Sequence, residues 1–270
     1  MGERPVVDEL EETWRSIDDL GRALEAADWD RPTDCPGWTV RDNLSHVVGT
    51  EAALLGRETP PEPEAYGPHV HNDIGRLNER WIEARRGRPG DQVLEELREV
   101  AAARLEVLRA MGDEEFLADS WTPTGPGTHE GFMHIRVFDC WAHEQDMRRA
   151  VGKPGHLSGS AAERAMTQLS TGLPYVVGKR AGAPDGSTVV FDVHGPVART
   201  IAVGVEGGRA RALDAVPDTP TVRIVADFET FATLVCGRRD PAQALADRRV
   251  RLEGDEALGR TVTEHLAYIF

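Results

Sequence analysis

Apolar residues recur at spacings of three and four along the first 178 residues, which is the pattern of amphipathic helices. The first stretch runs from Val6 to about Trp29, and a second begins near Thr39, whose side chain can cap the first turn, and ends near Gly56. Further helices are predicted at residues 72–86, 91–111, 130–151 and 158–178. The stretch 121–131, WTPTGPGTHEG, is predicted to be an irregular connection.

The spacing of apolar residues changes beyond residue 185, where runs of β-branched residues are separated by glycine and aspartate. Strands are predicted at residues 187–195, 198–208, 219–227 and 250–254, and helices at 228–237, 240–246 and 255–270. The pattern therefore predicts a helical bundle over residues 1–178 followed by a small α+β domain over residues 185–270.

The charge balance argues against a nucleic-acid partner. Lysine and arginine number 31 against 46 acidic residues, a formal net charge of −15, and no basic stripe appears that could neutralise phosphates. The N-terminus is acidic where a signal peptide would be basic, and no apolar run approaches a membrane span of about 18 residues. We expect a soluble, cytoplasmic protein. Three scattered cysteines, Cys35, Cys140 and Cys236, indicate no disulfide framework.

Candidate chemistry lies in VFDCWAHEQDM, residues 137–147, where ionisable groups interrupt an apolar helix. Asp139 and His143 are four residues apart, so both side chains lie on one helix face, close enough to bind one ion. The second helix offers His46 as a third ligand. Two nitrogens and one carboxylate suit zinc or another borderline divalent ion, and three protein ligands leave a position open for water or a thiolate.

Simpler interpretations stay open. An Asp/His pair at this spacing is also common as a surface hydrogen bond, and His46 can be a partly buried histidine with ordinary partners. The sequence argues against a zincin-type protease, because the position of the second histidine in the HExxH motif is Met147 here.

Two segments carry a family resemblance. DCPGWTVRDNLSHVVGTE, residues 34–51, and RVFDCWAHEQDMRRAVG, residues 136–152, resemble the mycothiol-dependent maleylpyruvate isomerase-like family of the DinB/YfiT-like metalloenzyme superfamily. Trp38, the segment Val40-Arg41-Asp42 and His46 match its first signature, and Asp139 and His143 match the helix that completes its metal site. Better-characterised relatives have glutamate where this chain has Asp139, which is shorter by one methylene.

The C-terminal half extends the resemblance. Residues 219–262, which include GRRDP and VRLEGD, are similar to the family's C-terminal domain, itself like sterol carrier protein 2. The resemblance implies an up-down, DinB-like four-helix bundle followed by this α/β domain. A metal site then lies at the open end of the bundle.

The resemblance also implies the partners. The low-molecular-weight thiol mycothiol would be the co-substrate, used as a metal-bound thiolate that adds to a small electrophile, with no nucleophile supplied by the protein. Zinc is the expected ion, and nickel, iron or manganese are alternatives. The expected activity is that of an isomerase or an S-transferase, in a monomer or homodimer without nucleic-acid or membrane partners.

Three further residues are candidates for the site. Arg238 in CGRRD can pair with a carboxylate of the substrate or thiol, or be an exposed loop arginine, and Asn78 can bind a ligand or be a helix-surface amide. Arg136, one turn before Asp139, can orient that carboxylate or form a salt bridge elsewhere. We expect Cys35 to be structural and Cys140 to pack in the core.

Two other functions are compatible with the sequence. The C-terminal domain can hold an apolar ligand while a degenerate bundle serves as a scaffold, which would make the chain a lipid or small-molecule binding protein. A metal-dependent hydrolase of the same superfamily would use metal-bound water and no thiol. The substrate itself cannot be read from the sequence.

Overall fold

A computed structural model describes residues 4–269, and these form two compact units that meet in sequence between His156 and Leu157. The helices and strands of the first unit are α1 (Pro5–Arg22), α2 (Val40–Leu54), α3 (Asp73–Arg86), α4 (Gly90–Ala110), α5 (Asp113–Phe116), β1 (Asp119–Thr122), β2 (Gly125–Thr128) and α6 (His129–Val151). Those of the second are α7 (Ser160–Thr171), α8 (Leu173–Tyr175), β3 (Thr188–His194), β4 (Arg199–Glu206), β5 (Arg209–Ala212), β6 (Val222–Asp227), α9 (Phe228–Val235), α10 (Pro241–Ala246), β7 (Val250–Gly254) and α11 (Glu256–Glu264).

Four long helices enclose the core of the first unit. Helix α1 packs against α4 and α6, α2 packs against the same two helices, and α3 lies on the outside of α2. The apolar positions that predicted α1 are buried, including Leu10, Trp14 and Ile17. Because α2 and α6 are neighbours, side chains on these two helices can meet although about a hundred residues separate them.

Local signals fix where the helices begin and end. Thr39 caps α2 by accepting a hydrogen bond from the amide of Asp42, whose carboxylate accepts from Thr39 in return. The side chains of Asn72 and Thr128 cap α3 and α6 by accepting hydrogen bonds from the amides of Gly75 and Gly131. Helix α6 ends at Gly152, whose φ of 65° is a left-handed conformation that glycine adopts without steric cost.

Helix α6 is buried on nearly every side, and its ionisable residues are buried with it. Arg136, His143, Glu144 and Asp146 all lie in the interior beside Val137, Trp141 and Met147. No helix in residues 4–269 is both long enough and apolar enough to cross a lipid bilayer. Buried charges need partners, so the neighbours of α6 indicate where the chemistry lies.

The structure differs from the predicted elements in several places. Helix α1 ends at Arg22, and a 3₁₀ turn over Ala26–Asp30 follows it. The stretch predicted to be irregular contains the antiparallel hairpin β1–β2, whose turn uses Gly125 at a φ of 116°. Helix α7 belongs to the second compact unit, whereas the sequence grouped residues 158–178 with the bundle.

The second unit contains a five-stranded sheet in the order β5-β4-β3-β6-β7. Strands β3 and β6 are parallel and every other neighbouring pair is antiparallel. Strand β6 alternates buried and half-buried residues, and helices α9 and α11 pack on it. The strand β5 was not predicted, because RARA contains no β-branched residue.

A buried ionic cluster ties the end of the first unit to α1 and α6. His156, held at a φ of 55°, contacts Glu144 through Nδ1 at 2.5 Å and Glu12 through Nε2 at 3.3 Å. Glu144 also accepts hydrogen bonds from Ser16 and Arg148. Burial alone would lower the pKa of His156, but the two carboxylates outweigh it and raise that pKa above its usual value.

The raised pKa makes this cluster a pH-dependent source of stability. Its contribution is fully present below the unfolded value of about 6.5 and is lost as pH rises through the higher folded pKa. We expect wild type to lose free energy of unfolding relative to His156→Asn over this range, measured by urea denaturation at several pH values. Asparagine tolerates the left-handed backbone of this position. Parallel pH profiles for the two proteins would contradict the expectation.

Candidate metal centre

The side chains of His46, Asp139 and His143 converge at the α2–α6 contact. One ligand atom from each lies within 4.8 Å of the other two. The Nε2 atom of His46 is 3.0 Å from Oδ2 of Asp139, and Nε2 of His143 is 3.7 Å from Oδ1. The Asp139 side chain is 28% exposed, whereas His46 and His143 are 6% and 9% exposed, so the cluster opens to solvent on its carboxylate side.

Trp38 holds both imidazole rings in place. Its ring centroid lies 5.2 Å from that of His46 and 5.3 Å from that of His143. The indole Nε1 donates to Glu79 of α3 at 2.7 Å, and Glu79 also contacts His69 at 2.9 Å. An amphipathic ring that is fixed by a buried carboxylate restricts the rotamers of both histidines.

Asp139 is oriented by a buried ionic network. Arg136 donates one hydrogen bond to Asp139 and another, at 2.8 Å, to Glu51 of α2. The second oxygen of Glu51 accepts from Arg104 of α4 at 3.0 Å. Glu51, Arg104 and Arg136 are all nearly inaccessible to solvent. Four charges of alternating sign thus link three helices and end at the carboxylate that faces the site.

Electrostatics keep the donors in the forms that bind cations. Burial would raise the pKa of Asp139, but Arg136 and the neighbouring histidines hold that pKa well below its usual value. Burial is also the largest influence on His46, and it lowers the pKa of that imidazole although Asp139 opposes the change. At neutral pH the site therefore offers a carboxylate and a neutral imidazole.

The donor set fits a borderline divalent cation. Two imidazole nitrogens and a carboxylate oxygen on one side of a partly open cluster are the ligands of catalytic zinc-type sites. The Nδ1 atom of His46 is buried and has no hydrogen-bond partner within the described residues. The Nε2 atom is the ring nitrogen that faces Asp139, so a cation bound there would take the place of the proton that the two side chains share.

Cys35 lies close to this cluster. Cys35, His143 and Asp146 form a second group of buried ligand atoms within 4.8 Å of one another. The backbone N–H of Cys35 donates to Thr33 at 3.2 Å, which fixes the loop before α2. Cys140 packs in the core as expected, and burial raises the pKa of its thiol to about 12.

The remaining candidates differ in what surrounds them. Arg136 contacts both Asp139 and Glu51, so the orienting role and the salt bridge predicted as alternatives coexist. Asn78 is half-buried on α3, where the neighbouring Glu79 is the side chain that reaches Trp38. Arg238 lies in the second unit and donates to the carbonyl of Cys236 at 2.8 Å. Ligand contacts by Asn78 and Arg238 stay predictions.

The sequence did not reveal the partners of the site. No motif in the sequence marks Glu51 or Arg104 as a partner of the site. Asn43 is fully buried and contacts His143 at 2.8 Å. Asn43 lies three residues before His46, so the two side chains share one face of α2, and this spacing was the signal in the sequence.

A cavity of about 640 Å³ in the second unit has a different character. Its lining contains four arginines, a histidine, a glutamate and several small or branched apolar residues. The lining residues are His194, Val225, Ala242, Leu245, Ala246, Arg248, Arg249, Val250, Arg251, Leu252, Glu256 and Arg260. Such a basic lining does not favour a purely apolar ligand.

Two family models match this chain. The model of the mycothiol maleylpyruvate isomerase N-terminal domain matches residues 10–148, and the model of the family's C-terminal domain matches residues 164–261. The chain belongs to the mycothiol maleylpyruvate isomerase family. The first match includes His46, Asp139 and His143.

Relatives of similar length match most of this chain. Uncharacterized proteins from two strains of Mycobacterium tuberculosis are 25% identical over 259 residues, covering 94% of this chain and 91% of their own. A crystal structure of the mycothiol-dependent maleylpyruvate isomerase is 17% identical, with a TM-score of 0.56 over 88% of this chain and 90% of that one. The last match shows a shared fold.

The expected likeness to sterol carrier protein 2 is weaker. A sterol carrier protein 2-like protein from Aedes aegypti covers 37% of this chain at 15% identity, with a TM-score of 0.29. A match at this level does not identify a ligand for the second unit. The helical first part and the α/β second part are nevertheless those expected of the family.

The cluster predicts stoichiometric binding of one divalent ion. Purified protein should retain about one equivalent of zinc or a similar ion, and His46→Ala and His143→Ala should each abolish retention, because two donors bind far more weakly than three. Asp139→Glu should keep the ion, since it retains the carboxylate. Elemental analysis after dialysis measures the result, with His194→Ala as control. Retention by both histidine variants would exclude this site.

The network around Glu51 predicts a large effect on stability. Glu51→Gln removes the charge between two buried arginines, and we expect it to cost about 3–5 kcal/mol. Glu83→Gln is a matched control, because Glu83 pairs with Arg86 at the surface, where such pairs contribute about 0–1 kcal/mol. Urea unfolding of metal-free protein measures both values. Equal losses in the two variants would show that the buried charges are not coupled.

Proposed function

We propose that this protein is a divalent-metal enzyme that uses mycothiol either to isomerise a small electrophile or to transfer the thiol to it. The observation that carries the proposal is the convergence of His46, Asp139 and His143 in a chain of the mycothiol maleylpyruvate isomerase family. A divalent cation at these residues would supply the positive charge that lowers the pKa of a thiol from about 8.5. The identity of the ion is proposed as zinc.

The chain's own residues prepare the site for this chemistry. Trp38 fixes the two imidazoles, and Arg136 keeps Asp139 charged and aimed at them. The buried side of the cluster excludes water, while Asp139 marks the side from which a thiol and its substrate can approach. We assign no protein nucleophile, and burial raises the pKa of the Cys140 thiol to about 12, which disfavours that cysteine in such a role.

Thiol addition explains how the substrate can be isomerised while the thiol is regenerated. The sulfur forms a bond to one end of a conjugated carbon–carbon double bond, and the electron pair of that bond moves onto the adjacent carbonyl. Rotation about the resulting single bond and expulsion of the thiolate then return the thiol and the trans product. If the adduct is instead protonated at carbon and released, the same first step gives an S-transferase.

Two competing functions give different results in one experiment. Metal-loaded protein is incubated with a panel of conjugated electrophiles, including maleylpyruvate, with mycothiol, with cysteine or with no thiol. We expect turnover or a mass-shifted adduct with mycothiol, at least 100-fold reduced in His46→Ala and unchanged in His194→Ala. Mass spectrometry and product chromatography report both outcomes.

The other outcomes overturn the proposal. Turnover that is independent of thiol would assign the site to a metal-dependent hydrolase. Protein that retains no divalent ion and shows no thiol-dependent reaction would favour a binding protein.

A further inference from the structure

The amide of Asn43 has only one orientation that its neighbours allow. Its Nδ2 atom lies 2.9 Å from the carbonyl oxygen of Thr39 and 3.0 Å from Oγ1 of Thr33. A carbonyl oxygen only accepts hydrogen bonds, so the NH₂ group must face Thr39. The Thr33 hydroxyl donates to the carbonyl of Trp38 at 2.9 Å, which leaves its oxygen free to accept from Asn43. The Oδ1 atom of Asn43 therefore faces His143, at 2.8 Å from Nδ1.

This orientation determines the tautomer of His143. Its Nδ1 atom has two oxygen neighbours, Oδ1 of Asn43 at 2.8 Å and Oδ2 of Asp146 at 3.5 Å. An amide oxygen cannot donate, so Nδ1 carries the proton. In the neutral ring the lone pair then lies on Nε2, the atom 3.7 Å from Asp139 Oδ1. That nitrogen is thus directed at the site before any ion arrives.

In His46 the proton is expected on the other ring nitrogen, Nε2. Its Nε2 lies 3.0 Å from Asp139 Oδ2, a distance at which a neutral ring donates its Nε2 proton to the carboxylate. Its buried Nδ1 has no partner within residues 4–269 that would hold a proton there. For a cation to bind at Nε2, the Nε2 proton must leave and Nδ1 must take one up. The number of protons on the ring stays the same.

We propose that Asn43 is a positioning residue that fixes His143 in the Nδ1–H tautomer, whose Nε2 lone pair can bind the ion. The two histidines of the site then differ in tautomer when no metal is bound. His143 offers its lone pair in the metal-free protein, whereas His46 must exchange a hydrogen bond to Asp139 for the ion. This inference rests on the metal site of the proposed function and is independent of thiol chemistry. Outer partners of this kind typically change metal affinity 10–100-fold.

The tautomers can be observed directly in the metal-free, full-length protein. Long-range proton–nitrogen NMR on ¹⁵N-labelled protein distinguishes a protonated from an unprotonated ring nitrogen at each histidine. We expect His143 in the Nδ1–H form and His46 in the Nε2–H form. In Asn43→Ala, His143 should lose this fixed form and show a mixture of tautomers. Finding His143 in the Nε2–H form in wild type would overturn the proposal.

Metal affinity supplies the second measurement. Competition between the protein and a chromophoric chelator for Zn²⁺ should show a 10–100-fold loss in Asn43→Ala. Asn43→Asp keeps an oxygen acceptor for Nδ1–H and should recover most of the affinity, although its melting temperature falls. Ser45→Ala is the matched control, because Ser45 is equally buried on α2 and its hydroxyl donates to the carbonyl of Arg41.

The possible outcomes distinguish a failure of the Asn43 proposal from a failure of the proposed function. Equal Zn²⁺ affinity in Asn43→Ala and wild type, with both folded, would overturn the positioning role. If wild type binds Zn²⁺ but reacts with no thiol, the proposed function fails while the role of Asn43 stands. If Asn43→Ala does not fold, the wild-type NMR spectrum together with Asn43→Asp decides the question.

Discussion

The ion pair between Arg136 and Asp139 is the interaction on which the rest of the site depends. A carboxylate in the interior of a helical unit would ordinarily take up a proton, since burial disfavours its charge. Arg136 prevents this, and Glu51 in turn neutralises the positive charge of Arg136. The carboxylate of Asp139 is therefore present at neutral pH because two further helices supply charges behind it.

Stability alone does not account for this network. Replacing a buried ion pair with apolar residues of similar volume is often neutral or stabilising, because the desolvation of both charges is costly. The chain Arg104–Glu51–Arg136 nevertheless crosses from α4 through α2 to α6 and ends at a half-exposed carboxylate. An arrangement that places costly charges in the interior and presents one of them at an opening is typical of a functional site.

How much could be predicted from the sequence depended on the distance over which each interaction acts. Asp139 and His143 lie on one helix, and the Thr39 cap acts within one turn, so local geometry was sufficient for both. His46 could be named as a candidate from its own helix, but the family resemblance was needed to connect it with α6, because nothing in its segment indicates that α2 lies against α6. The hairpin β1–β2 was missed since WTPTGPGT lacks the alternation of an ordinary strand pair.

Glu51, Arg104 and Asn43 were missed for a related reason. Each is an unremarkable polar residue on its own helix and acquires a role only through a partner on another. Residues 136, 139, 143 and 146 of α6 do, however, recur at the three-and-four spacing of a core-facing stripe, with charges in place of apolar side chains. A charged stripe in a buried position requires polar partners on the facing helices, because unpaired charges are not tolerated there. Glu51 and Asn43 of α2 are those partners, so the spacing on one helix carries information about the composition of its neighbour.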